Sequence, residues 1–282
     1  MAPVDMGELP RGRECAARTI PHFWERTMNR MIFTALAAMF AIAACSDSTT
    51  TGATPAPVPT ATVLASGSIA DSVTSFRNLL GAANGATPGE QPSGRREINW
   101  DGAGANPFDN SNNFPADFFN TTVKVGAVFT TSGTGFRNDS SDFAEINPAY
   151  AAQFAFFSAN KIFAPVGSNV FDVLFQVAGQ PTPAVVKGFG AVFSDVDIAG
   201  ATTIQLFAQD GSSLGTFAAP VRSDSAGLSF VGVTFDQAVI ARARVTLGTG
   251  ALGADVNDIS AGGTADLVVV DNLIYGEPKK AF

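Results

Sequence analysis

Histidine and cysteine are almost missing from this chain: one histidine, His22, and two cysteines, Cys15 and Cys45, occur in 282 residues. Histidine is the usual general base near neutral pH and the commonest metal-binding side chain. Beyond position 45 neither residue type occurs, which excludes Ser-His-Asp triads, Cys-His pairs, zinc sites and internal disulfides there. The fold must be held by its apolar core, and one domain of about 200 residues can supply that. Positive charge is also scarce, with Lys+Arg 17 against Asp+Glu 25 and a formal net charge of -8. That balance argues against a nucleic-acid partner. Trp and Tyr number 2 each against Phe 24, so most aromatic rings belong to the core. Sugar-stacking platforms are usually Trp or Tyr, whose ring edges also form hydrogen bonds. Glutamate beyond position 45 is confined to Glu90, Glu97, Glu145 and Glu277, none of them in the alternating E-x-D-x-x-E pattern of sandwich glycosidases. An enzyme is not the expected outcome.

What is present begins with an apolar run, MIFTALAAMFAIAA, from Met31 to Ala44. It is shorter than the roughly 20 residues that span a bilayer. Arg30 precedes it and small residues end it, as in a secretory signal peptide. Ile42, Ala43, Ala44 and Cys45 resemble the bacterial lipobox, which implies acylation of Cys45, signal cleavage before it and a membrane anchor. The signal peptide reads best as residues 28–44 with Met28 as its start, leaving 1–27 as a leader or an early start codon. Ser46 rather than Asp follows the cysteine, which in bacteria with two membranes favours outer-membrane sorting.

The next segment, residues 45–65, is rich in Thr, Pro and Ala and reads as a disordered tether. Within 66–99 the spacing predicts a short helix from Asp71 to Leu80, with Ser68 as N-cap and Gly81 as its stop, followed by a loop. From Trp100 to Pro278 runs of Val, Phe, Ile and Thr recur between Gly, Pro, Asn and Asp clusters, an all-β pattern. Strands are expected at 123–130, 153–158, 170–177, 185–193, 202–208, 213–218, 228–235, 239–247 and 267–275. Nine strands fit a jelly-roll-like two-sheet sandwich over 100–278, with 279–282 as a tail. Asp210 and Gly211 supply the positive φ values of a tight hairpin turn.

Chemistry is expected of carboxylates. Asp195 and Asp197 sit two apart at a strand end, so a continuing strand would point both to one face. Calcium, a hard cation taking several oxygen ligands, is the candidate cofactor there. The candidate metal ligands are Asp195, Asp197 and Asp271, with Asp101 next and Asp109 a further option. Neither the stretch from Asp195 nor that from Asp109 is an EF-hand: Leu206 and Asn120 stand where a bidentate glutamate is required. A solvated strand end explains the first pair without a metal, and Asp255, Asn257 and Asp258 read as a solvated turn. Arg242 and Arg244 share one strand face, suited either to a ligand carboxylate or to cross-strand pairing with surface acids. Trp100 and Tyr275 are the ligand-surface candidates, burial being their alternative. Gly188 and Gly190, inside a strand, mark a bulge or close packing rather than a phosphate loop.

Several segments recur in a known order: GRREINWDG (94–102), PADFFN (115–120), GTGF (133–136), KIFAPVGSNVFDVLF, GFGAVFSDVD, GLSFVGVTFD and VVVDNLIYG. Together they resemble a group of uncharacterised exported bacterial proteins, some with PEP-CTERM sorting tails. The resemblance spans about 76–278 and implies a sandwich fold and export, with no activity attached. No sorting helix follows Pro278 here, so Cys45 is the expected anchor.

The expected function is therefore a lipid-anchored β-sandwich that binds a glycan or another envelope ligand, with calcium assisting. The alternatives are a structural or adhesive surface lipoprotein and a glycan-active enzyme working with carboxylates alone.

Overall fold

Apolar side chains at every second position make strands. The computed structural model describes residues 56–103, 108–222 and 227–281, and among them the chain forms fourteen strands and two α-helices. The order opens with β1 (Ala61–Ser66), α1 (Ala70–Leu80), β2 (Arg95–Ile98), α2 (Phe118–Thr121), β3 (Ala127–Thr131), β4 (Gly135–Asp139) and β5 (Ile162–Val166). It continues with β6 (Val170–Phe175), β7 (Ala184–Val185), β8 (Gly188–Ser194), β9 (Thr203–Phe207) and β10 (Ser213–Ala218). β11 (Leu228–Thr234), β12 (Arg242–Thr246), β13 (Val269–Gly276) and β14 (Lys279–Lys280) complete it. Cys45, the expected signal peptide at 28–44 and residues 46–55 of the expected tether lie outside the described residues. Among the described residues no helix is long and apolar enough to cross a membrane.

The strands build an all-β sandwich of two antiparallel sheets. The larger runs β1-β11-β8-β13-β5-β4, with β2 also on β13, and the smaller runs β10-β9-β12-β6-β3. A separate ladder joins β14 to β7. Phenylalanine fills the space between the sheets. Phe129 and Phe171 from the smaller sheet pack on Phe163 from the larger, and Phe175 packs on Phe189 and Tyr275. In β6, Phe171, Val173 and Phe175 are buried while Asp172 faces the other way, as the alternation predicts.

β8 and β13 are buried along their whole length because both faces are covered. One face meets the inter-sheet core; the other carries α1, whose Val73, Phe76 and Leu80 pack on Val192, Phe230 and Ile274. Those three helical positions fall on one face at a 3.6-residue period. Gly190 pairs with Gly232 across β8 and β11, and the ring of Phe76 occupies the space above both. Close packing, not a bulge or phosphate loop, explains Gly190.

Several expectations are corrected. The tether does not run to Ala65: Ala61–Ser66 pair residue by residue with Thr234–Ser229 as β1. The loop expected up to 99 contains β2, and the tail contains β14. Ser68 does not cap α1; Ile69 stands at the N-cap without a side-chain hydrogen bond, while Gly81 ends the helix at φ 104. Residues 153–158 are not a strand: side chains take the N–H groups of Ala155, Phe157 and Ser158, and the Gln153 N–H turns back to the Tyr150 carbonyl. Ala155 donates to Ser194 Oγ at 2.7 Å and Phe157 to Asp271 Oδ2 at 2.6 Å. The β9–β10 hairpin does form at Asp210 and Gly211, but only Gly211 takes a positive φ, of 83; Asp210 stays at negative φ, so the glycine alone makes the left-handed turn that both residues were expected to share.

Candidate functional site

β8 ends at Ser194, which pairs with Leu228 on one side and Val269 on the other. The strand does not continue through Asp195, whose φ of 70 turns the backbone out of extended geometry. The simple reason for expecting Asp195 and Asp197 on one face therefore fails, yet their carboxylates still converge. Asp266, just before β13, accepts the backbone N–H groups of Asp197 at 3.2 Å and Ile198 at 3.0 Å and so shapes the turn. A third carboxylate arrives from Asp258. One oxygen from each of Asp195, Asp197 and Asp258 lies within 4.8 Å of the other two.

Asp258 corrects the reading of 255–258 as a solvated turn. It is 1% exposed and caps the 3-10 turn Ile259–Ala261 by accepting the N–H of Ser260 at 2.6 Å, while its other oxygen takes the N–H of Leu267 at 2.7 Å. The Asp-x-Ser sequence before Gly262 was the available signal for that cap. Nothing local signals its burial, which comes from chain folded 100 residues earlier. Tyr150 donates its hydroxyl to the Val256 carbonyl at 2.7 Å, and Asn147 donates to the same carbonyl at 3.1 Å. Gln153 closes the site from that side, its Nε2 donating to Asp195 Oδ2 and, at 3.0 Å, to Ser260 Oγ.

The electrostatics follow from burial. Asp195 is fully buried, and burial pushes its carboxyl up to about 7, with Asp258, Asp197 and Asp266 adding to the rise and Gln153 opposing it. Asp197 is pushed up to about 6, by burial first and then by Asp258 and Asp266. Burial also raises Asp266. None of the ion pairs between described residues includes any of these four aspartates.

Asp271 and Asp101 do not join the cluster. Asp271 is buried in β13 and holds the 157–158 turn, accepting both backbone N–H groups and the Ser158 hydroxyl. Burial pushes it up to about 6. Asp101 accepts the N–H groups of Ala159 at 3.0 Å and Asn160 at 2.8 Å in the same segment. Asp109 pairs with Lys161 at 2.5 Å. Trp100 and Tyr275 are not ligand surfaces: each is 0% exposed. Trp100 stacks flat on Phe163 at 3.9 Å and donates its indole N–H to the Asp271 carbonyl, and the Tyr275 hydroxyl donates to Val125 O at 3.0 Å. Their polar edges are consumed inside the core.

Arg242 and Arg244 do share a face, and both hold Asp172 of β6, at 2.9 and 2.8 Å. Cross-strand pairing is their observed state. Arg242 also covers the Phe207 ring at 3.7 Å and edges a shallow cleft with Gln176, Pro183 and Gln209. Register places that cleft at the end of the sandwich away from the aspartates. β8 runs from Gly188, paired with Thr234, to Ser194 beside Asp195. β1 begins at Ala61, also paired with Thr234, so the N-terminal segment joins the fold at the end opposite the acidic cluster.

No family model and no curated protein matches the chain. Among solved structures it is similar to a two-domain protein of unknown function from Bacteroides fragilis, at 14% identity and a TM-score of 0.21. The match covers 54% of this chain and 46% of that one, so the chain spans about half of its neighbour, a likeness too slight to inform on function.

Proposed function

We propose that this protein is exported, anchored through acyl chains on Cys45, and presents its sandwich at the cell envelope as a binding module for a glycan or another surface ligand. The observation that supports this reading is the placement of β1. The segment leading from Cys45 zips onto the edge of the larger sheet at Ala61, and the loops bearing Asp195, Asp197 and Asp258 stand at the other end. The chain enters the sandwich at the end opposite those loops, so its point of entry leaves them uncovered. Acyl chains contribute about 0.8 kcal/mol per buried CH₂, so a multiply acylated cysteine holds such a module on a membrane. The Ser46 neighbour directs the anchored protein to the outer membrane where two membranes exist.

Two measurements test this. Cys45→Ser is expected to leave the chain unlipidated and released from washed membranes, and retention of the variant would refute the anchor. The full-length chain, solubilised and applied to a glycan array and to purified envelope polysaccharide, is expected to bind one class of glycan. Silence on both would favour the structural or adhesive role. A soluble form for this purpose has to retain β1, because a cut at Ser66 removes a whole edge strand.

A further inference from the structure

The cluster of Asp195, Asp197 and Asp258 is a buried accumulation of like charge with no cationic side chain paired to it among the described residues. Taking a carboxylate out of water is costly unless the charge is paired or bound to a metal. Asp195 shows the problem most directly: it is 0% exposed, Gln153 serves only its Oδ2, and its Oδ1 is buried without a hydrogen-bond partner. Asp197 Oδ1 is likewise buried and unpartnered. Among the described residues three further buried oxygens without partners lie elsewhere, on Asn138, Asp142 and Asn272, and only at this cluster do two belong to carboxylates that converge with a third.

We infer that Asp195, Asp197 and Asp258 form a binding site for a divalent cation of the calcium type. The donors are all carboxylate oxygens, which suits a hard cation, and no imidazole or thiolate occurs beyond Cys45 to attract a transition metal. Calcium contacts oxygen at about 2.3 to 2.6 Å, so ligand oxygens bound to one ion stand up to about 5 Å apart, and three oxygens within 4.8 Å of one another are close enough to reach one such ion together. Magnesium, with contacts near 2.0 to 2.1 Å and a strict octahedron, keeps several waters and is served by one or two carboxylates.

Hydrogen bonds within the chain hold the surroundings of the site. Asp266 takes the N–H groups of 197 and 198, and the N–H groups of Ser260 and Leu267 fix Asp258. These bonds fix the backbone at 197–198 and the Asp258 carboxylate, while Asp195 and Asp197 each keep one oxygen without a hydrogen-bond partner. Asp197 is only partly buried, so water can complete the coordination from its side. The ion would tie the end of β8 to the 258–267 loop and, through Gln153, to the 147–153 turn. The inference stands independently of what the module binds.

Thermal unfolding of the full-length chain, purified in detergent and stripped with a chelator, tests it. At a hundredfold excess over Kd, Ca²⁺ is expected to raise Tm by about 5 °C or more. Mg²⁺ at the same concentration is expected to give less than half that rise. Asp197→Asn, the substitution at the most exposed ligand, is expected to fold and to lose the Ca²⁺ response, while Asp255→Asn, at an exposed neighbour, keeps it. No shift with Ca²⁺ would overturn the site and leave carboxylates that share protons instead. An undiminished response in Asp197→Asn would overturn the ligand assignment, and equal responses to Mg²⁺ and Ca²⁺ would overturn the calcium class.

Discussion

Phe76 of α1 lies so close over Gly232 of β11 that a Cβ at the glycine would stand 2.6 Å from the ring. The ring is fully buried and lies nearly as close over Gly190 of the neighbouring strand. Gly232→Ala is therefore expected to destabilise the fold by about 1–3 kcal/mol, the usual cost of overpacking. Urea unfolding measures it, and an unchanged midpoint would show that α1 can lift from the sheet without cost.

The pair Arg96 and Glu277 joins β2 to the segment after β13, with two bonds of 2.6 and 2.7 Å and almost no exposure on either side. Glu277 also accepts from Asn84 at 2.7 Å and the Gln91 N–H at 3.0 Å. Glu277→Ala leaves a guanidinium buried without its counter-charge and is expected to cost about 3–5 kcal/mol. Calorimetry would detect a fall in Tm; a loss below about 1 kcal/mol would mean water reaches Arg96 in the variant.

Arg244 is the contrasting case. Its side chain is 45% exposed, and Arg242 remains on Asp172 when Arg244 is removed. Arg244→Ala is expected to change stability by about 0–1 kcal/mol. A larger loss in denaturant titration would show that the two arginines act as one unit on the smaller sheet.

Asp271 sets a pH dependence. Burial pushes its folded-state value to about 6, above the ordinary 3.8, so between about pH 4 and 6 the folded chain holds the proton more often than the unfolded chain. Its contribution to stability is therefore fully present below pH 4 and declines as pH rises through 6. The decline attributable to this residue is about 2–3 kcal/mol. Asp271→Asn, which keeps an acceptor oxygen, is expected to show a shallower fall across that window. Parallel profiles for the variant and the parent would remove Asp271 as the cause.

Local patterns explain which elements could be read in advance. The alternation of β6, the Asp210–Gly211 turn and the spacing of Val73, Phe76 and Leu80 each depend on neighbours within one element. β4 escaped because Arg137, Asn138 and Asp139 are buried in it as polar residues, with Arg137 held by Asp139 and Glu145 and the Asn138 amide N–H donated to Asp109. β5 escaped because Pro165 sits inside it, a residue confined to strand positions where no N–H is needed. Residues 153–158 misled in the other direction: their apolar alternation is that of a strand, but Ser194 and Asp271 hold the backbone instead.

The candidate site divides in the same way. Asp195 and Asp197 were legible because two carboxylates at a strand end are close by chain connectivity alone. Asp258, 61 residues beyond Asp197, was not, and neither was the separation of Asp271 and Asp101 from the cluster. The sequence by itself determined the sandwich class, the lack of histidine and thiol chemistry beyond Cys45, and the candidate anchor at that cysteine, since these follow from composition and short-range pattern. Only the tertiary structure decided which aspartates meet, that Trp100 and Tyr275 are core, and that β1 completes the larger sheet. Those outcomes depend on which distant segments pack together, and a carboxylate acquires its charge environment only from the groups that packing brings beside it.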